Sequence, residues 1–147
     1  MKANIHKPKN TGYASRFLKF ILILTVSLSL NGYSQKTIST IAFGSCGRED
    51  HALPIFDIVV KHKPDLFIFL GDNIYGDTKD MDTLLLKYNM LAAKPTFQNL
   101  KKNVDIIATW DDHDYGWNDT GRHYPFKTES KEIFLNFFEE PKNSERR

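Results

Sequence analysis

The sequence predicts an α/β fold, a parallel sheet with covering helices. Three observations carry this. Short β-branched or apolar runs alternate with segments of helical periodicity. The run 66–70 is apolar at every position, as in a strand buried on both faces of a parallel sheet. Polar, chemistry-bearing residues follow directly after each predicted strand, where open α/β sheets bind their ligands.

The elements follow in order. Residues 37–43 are rich in β-branched side chains and stop at Gly44, giving the first strand. A glycine-flanked loop over 44–50 carries Cys46. Leu53, Phe56, Val59 and Val60 recur at helical spacing until Pro64. The second strand, 66–70, runs into Gly71, Asp72, Tyr75 and Asp77. Leu84, Tyr88 and Leu91 form a second helical stripe, stopped at Pro95, and Phe97 and Leu100 a further short helix. The third strand, 104–110, delivers Asp111, Asp112, His113 and Asp114. A last helix over 129–140 carries Ile133, Phe134, Phe137 and Phe138 on one side and ends at Pro141. The polar tail after it is expected to fray.

Bulk composition sets limits. The chain has 147 residues, 41% hydrophobic and 26% charged, enough for one domain with a core. The formal charge of +2 is unevenly spread. Residues 1–34 hold five bases and no acid, so residues 35–147 carry 15 basic against 18 acidic side chains. No basic stripe suited to nucleic acid is present. The basic start runs into the apolar stretch 20–30 and then to Gly32 and Ser34, the layout of a cleaved signal peptide over 1–34. Spanning a bilayer takes about 20 apolar residues, more than this run supplies, so no stable membrane anchor is expected. The expected location is periplasmic or extracellular. Cys46 is the single cysteine, which excludes an internal disulfide and leaves a buried thiol or a ligand.

The chemistry concentrates after the strands. Between Asn103 and Gly121 lie four clustered aspartates (Asp111, Asp112, Asp114, Asp119), His113, and no Lys or Arg. So many acids without a local base call for a cation. Asp72 follows Gly71, which alone reads as a turn. Tyr75 and Asp77 add further oxygen donors in the same loop, and carboxylate, phenol and thiol together suit hard or borderline metals. His113, flanked by Asp112 and Asp114, has the setting of an imidazole whose pKa is raised and whose tautomer is fixed, fit to give a proton to a leaving alkoxide. Asp111 is a cap or a ligand. Trp110 and Trp117 are expected to pack.

Taken together, Phe43-Gly44-Ser45-Cys46, Leu70-Gly71-Asp72-Asn73-Ile74-Tyr75 and Ala108-Thr109-Trp110-Asp111-Asp112-His113-Asp114 resemble the alkaline phosphatase D-like family of the calcineurin-like metallophosphoesterase superfamily. The likeness runs from about residue 38 to residue 119. Ser45-Cys46 stands where the superfamily usually has Asp-x-His, which is the family's own variant. The resemblance implies an αββα sandwich around a multinuclear site, with calcium and iron, that hydrolyses phosphate mono- or diesters. It implies Cys46, Asp72, Tyr75 and Asp112 as metal ligands. It implies His113 as the group covering charge on the leaving oxygen and Asp114 as the acid that orients it. Such enzymes take further ligands from later strands, yet no histidine follows His123. The chain is therefore expected to form the N-terminal half of the sandwich, truncated at its C-terminus, with an apolar sheet face left for a missing half or a partner. The alternative is a truncated, non-catalytic protein that binds metal or phosphate.

Overall fold

The computed structural model describes residues 37–147. The expected signal peptide over 1–34 lies outside them. Among the described residues no helix is long and apolar enough to cross a membrane.

Three parallel strands form one sheet in the order β1 (Ile41–Gly44), β2 (Leu66–Leu70), β3 (Asp105–Thr109). Ile41 lies opposite Leu66, and Leu66 opposite Asp105, so the three strands end almost level on one rim. Among the described residues five helices connect and follow them: α1 (Ile55–His62), α2 (Met81–Ala92), α3 (Pro95–Asn103), the single turn α4 (Asp112–Tyr115) and α5 (Lys127–Phe137). The protein is thus mixed α/β with a parallel sheet.

Local chemistry sets the boundaries. β1 starts later than residue 37 because the Asp65 carboxylate takes the Ser39 and Thr40 amides at 2.9 and 3.0 Å. Those donors are then bound to a side chain instead of a neighbouring strand. Lys63, in the left-handed region at φ 50°, closes α1 one residue before Pro64. Asp80 caps α2 by accepting from the Asp82 and Thr83 amides. Pro95 opens α3, where a missing N–H costs nothing.

Both crossovers move the chain the same way across the sheet. Right-handed connections then place their helices on one face. The core lies there: Phe67, Phe69 and Ala108 of the sheet meet Phe56 of α1, Leu84, Tyr88 and Leu91 of α2, Phe97 and Leu100 of α3, and Phe134 and Leu135 of α5. Phe69 packs edge-on against Phe67 at 4.8 Å and against Phe56 at 5.7 Å. On the opposite face Ile41, Phe43, Leu70 and Ile107 are exposed among the described residues. This corrects the expectation that β2 is enclosed on both sides: Phe67 and Phe69 are buried, while Leu66 and Ile68 are half-buried and Leu70 is exposed. The apolar face expected from the sequence is open.

The tail is not frayed either. Arg146 donates to the Ala108 carbonyl at 2.7 Å and pairs with Glu140 at 2.7 Å. Arg147 pairs with Glu132 at 2.8 Å. Basic residues at the end of the chain thus clasp a β3 carbonyl and the acids of α5 and the segment after it.

Phe69→Ala should lower the unfolding free energy by about 3–5 kcal/mol in urea titrations, as a large cavity opens in the core. Phe43→Ser, on the open face, should change it by less than about 1 kcal/mol. It should also reduce binding of a hydrophobic dye. Equal costs for the two would show that the face is covered.

Candidate metal centre

The loops after the three strands are drawn together by backbone bonds. The Cys46 amide donates to the Gly71 carbonyl at 3.3 Å and the Gly47 amide to the Asp72 carbonyl at 2.8 Å. The Gly76 amide donates to the His113 carbonyl at 3.0 Å. This approach is close enough to require glycine. A Cβ at Gly76 would stand 2.7 Å from the His113 carbonyl oxygen, and one at Gly71, at φ +104°, would stand 2.7 Å from the Asp111 Cβ. Cys46, Asp72, Asp77 and Asp119 all hold left-handed φ values of 45–62°. Such strain in non-glycine residues gathers where a structure overdetermines its backbone, often at functional sites.

Asp114 lies beneath these loops, 1% exposed. Its carboxylate accepts from five donors: the Asn73 amide at 3.0 Å, the Asn73 Nδ2 at 3.1 Å, the Ile74 amide at 3.3 Å, the Asp111 amide at 3.2 Å and the Tyr88 hydroxyl at 3.0 Å. It binds the β2 loop, the end of β3 and α2 at one point. Burial pushes its carboxyl up to about 6, against the pull of the same donors toward the charged form. Burial and the Asp114 charge hold the Tyr88 phenol well above its ordinary range, so it stays a donor. Asp111 is settled as the N-cap of α4, in a capping box with Asp114.

This placement corrects one expectation. Asp114 does not orient the His113 ring, because its oxygens are taken by the five donors. The carboxylate on His113 is Asp77, whose Oδ1 sits 2.7 Å from Nδ1. Asp77, expected among the oxygen ligands of its loop, instead fixes the imidazole and leaves Nε2 for other partners. Burial lowers the His113 pKa, but Asp77, Asp112 and Asp72 outweigh it and raise the pKa above its ordinary value.

Above this base, Asp72, Asp112 and His113 each bring a ligand atom within 4.8 Å of the others. Asp72 Oδ1 is buried without a hydrogen-bond partner in a site where burial, and then Asp112 and Asp111, raise its pKa. A buried carboxylate oxygen lacking any donor, beside a second carboxylate and an imidazole, fits a cation. Asp112 is held by amides instead. It accepts from the Asp119 amide and, at 2.9 Å, from the His113 amide, and these donors outweigh burial and lower its pKa.

Cys46 and Tyr75 flank the other side of Asp72. The Cys46 Sγ lies 3.8 Å from Asp72 Oδ2. The Tyr75 ring sits 4.3 Å from the His113 ring. Hydrogen bonding to Cys46, and then burial, push the Tyr75 phenol up to about 12. All six candidate residues thus lie on one rim. Asp72, Asp112 and His113 share one cluster, Cys46 and Tyr75 adjoin it through Asp72, and Asp114 lies underneath. Sequence reasoning missed Asp77 as the partner of His113, Tyr88 as a donor to Asp114, and Glu49, which is 4% exposed beside Tyr75. Only Asp111-x-x-Asp114, with the spacing of a capping box, carried a usable signal.

Comparison of the chain with family models, with curated proteins and with solved structures gave no match.

Tyr88→Phe should cost about 1–3 kcal/mol, because a buried carboxylate loses a donor. The Asp114 pKa is about 6 folded against about 3.9 unfolded. A raised folded value gives stability that is full below pH ~4 and is lost as pH rises through ~6, by about 3 kcal/mol. Urea unfolding from pH 3.5 to 7 should show this fall in the wild type. It should be smaller in Asp114→Asn, where the raised Asp72 and His113 groups still contribute.

Proposed function

We propose that this rim is the metal centre of an exported phosphoric ester hydrolase of the alkaline phosphatase D-like kind. The observation that carries the reading is the unpartnered buried oxygen of Asp72, set between the Asp112–His113 pair and Cys46 with Tyr75. Asp72 would be shared between two ions. Cys46 and Tyr75 would complete one side, where thiolate and phenolate favour iron. Asp112 would serve the other side, where carboxylate oxygens favour calcium. When bound, such ions neutralise the phosphoryl oxygens and lower the pKa of a water that attacks phosphorus.

The chain's own groups do the rest. The Asp77 carboxylate holds His113 Nδ1–H and keeps the ring in one tautomer. His113 Nε2 covers charge on the leaving oxygen and passes it a proton. Asp114 acts beneath as a positioning residue. The parallel sheet would be half of an αββα sandwich, with its open face taking the second layer. Export rests on the basic and apolar stretch over residues 1–34.

A second reading is a protein that binds metal or phosphate without turnover. It is favoured by the three-residue size of the cluster among the described residues, which is small for a two-ion site. Elemental analysis and turnover of a chromogenic phosphate ester separate the two readings. The hydrolase reading predicts two or more bound ions and metal-dependent release of product. Asp72→Asn should abolish both. Asp77→Asn should lower kcat about 10- to 100-fold while retaining metal. Tight metal binding with only background turnover would favour the second reading, and absence of bound metal would refute the hydrolase reading.

A further inference from the structure

We infer that buried Glu49 and half-buried Lys87 form a charged clamp that sets the position of Tyr75, and that both are positioning residues of the centre proposed above. The clamp joins three elements. Glu49 lies in the loop after β1, Tyr75 in the loop after β2, and Lys87 on α2. The Tyr75 amide donates to Glu49 Oε2 at 2.9 Å. Lys87 Nζ donates to the Tyr75 carbonyl at 2.5 Å and lies 3.6 Å from Glu49 Oε1. One residue thus has its N–H held by an anion and its C=O held by a cation, and the two clamps are paired with each other.

The cost of this arrangement argues that it serves a purpose. The Glu49 side chain is 4% exposed and that of Lys87 28% exposed. Removing such charges from water costs several kcal/mol per ion unless geometry and hydrogen bonds restore it. A neutral amide could accept one backbone N–H as well. Charged groups on both sides give bonds roughly twice as strong as neutral ones, and so a stiffer peptide. That stiffness is delivered to a side chain with three neighbours. The Tyr75 ring lies tilted 4.3 Å from the His113 ring and 5.1 Å below the Arg48 guanidinium, with Cys46 as its third neighbour. The clamp therefore governs where the Tyr75 ring stands beside His113, with or without a metal.

The test uses the full chain as wild type, Glu49→Gln, Glu49→Ala, Lys87→Met and Lys87→Arg. The first readout is metal-free. Proton NMR reports the downfield Tyr75 amide and the ring-current shift of the His113 ring protons. We expect both shifts to be lost in Glu49→Ala and Lys87→Met and kept in Lys87→Arg, with Glu49→Gln keeping the ring shift in part. The second readout is titration with ferric ion, following the phenolate-to-iron absorption band, with Tyr75→Phe as the control that lacks it. Affinity should fall about 10- to 100-fold in Glu49→Ala and Lys87→Met. Unchanged ring-current shifts in folded Glu49→Ala and Lys87→Met would overturn the clamp. A wild type without the band would refute Tyr75 as a ligand, and the NMR shifts would still decide the clamp.

Discussion

The buried carboxylate of Asp114 is the constraint on which the site depends. It is reached by donors from two loops and one helix. An anion in that position is stable only while every donor stays in place. The requirement runs both ways. Asn73 and Ile74 are held where Asp72 must turn at φ 50°, and Asp111 is held where α4 must begin. The single turn α4 then sends Asp112 and His113 toward Asp72 while Asp114 goes inward. A four-residue helix has little stability of its own. Its geometry comes from this carboxylate and from the close glycine contacts at Gly71 and Gly76.

The sheet supplies the second constraint. Because β1, β2 and β3 end level, their following loops meet on one rim. The crossovers that make this possible also place every covering helix on one side. The same topology thus creates a candidate centre and an apolar face carrying Ile41, Phe43, Leu70 and Ile107. Burial on one face steadies the rim, with the Phe56, Phe67, Phe69 and Phe97 rings behind it.

Much of this was legible in the sequence, for local reasons. A continuous apolar run followed by Gly71-Asp72 marks a strand and its polar end, and three such ends identify a rim. Asp72, Asp112 and His113 follow from that pattern, and their meeting follows from parallel topology. What was not legible rests on partners far apart in the chain. Asp77 and His113 are separated by 36 residues, and Asp77 sits in a loop where any acid is unremarkable. In a run of four aspartates, nothing but the capping-box spacing distinguishes Asp114, which is buried, from Asp112, which faces the cluster. The tail was misread because its composition is that of a solvated end, whereas Arg146 and Arg147 find partners on β3, on α5 and just beyond it.

The central claim is that Asp72 and Asp112 converge to hold a cation beside His113. Anomalous diffraction from crystals grown with manganese tests it most directly. The account predicts a peak within about 2.6 Å of an oxygen of Asp72 and an oxygen of Asp112, with Nε2 of His113 near but not coordinated and Asp77 still on Nδ1. No peak at that place, or a peak elsewhere with Asp72 Oδ1 bonded to a protein donor, would contradict it.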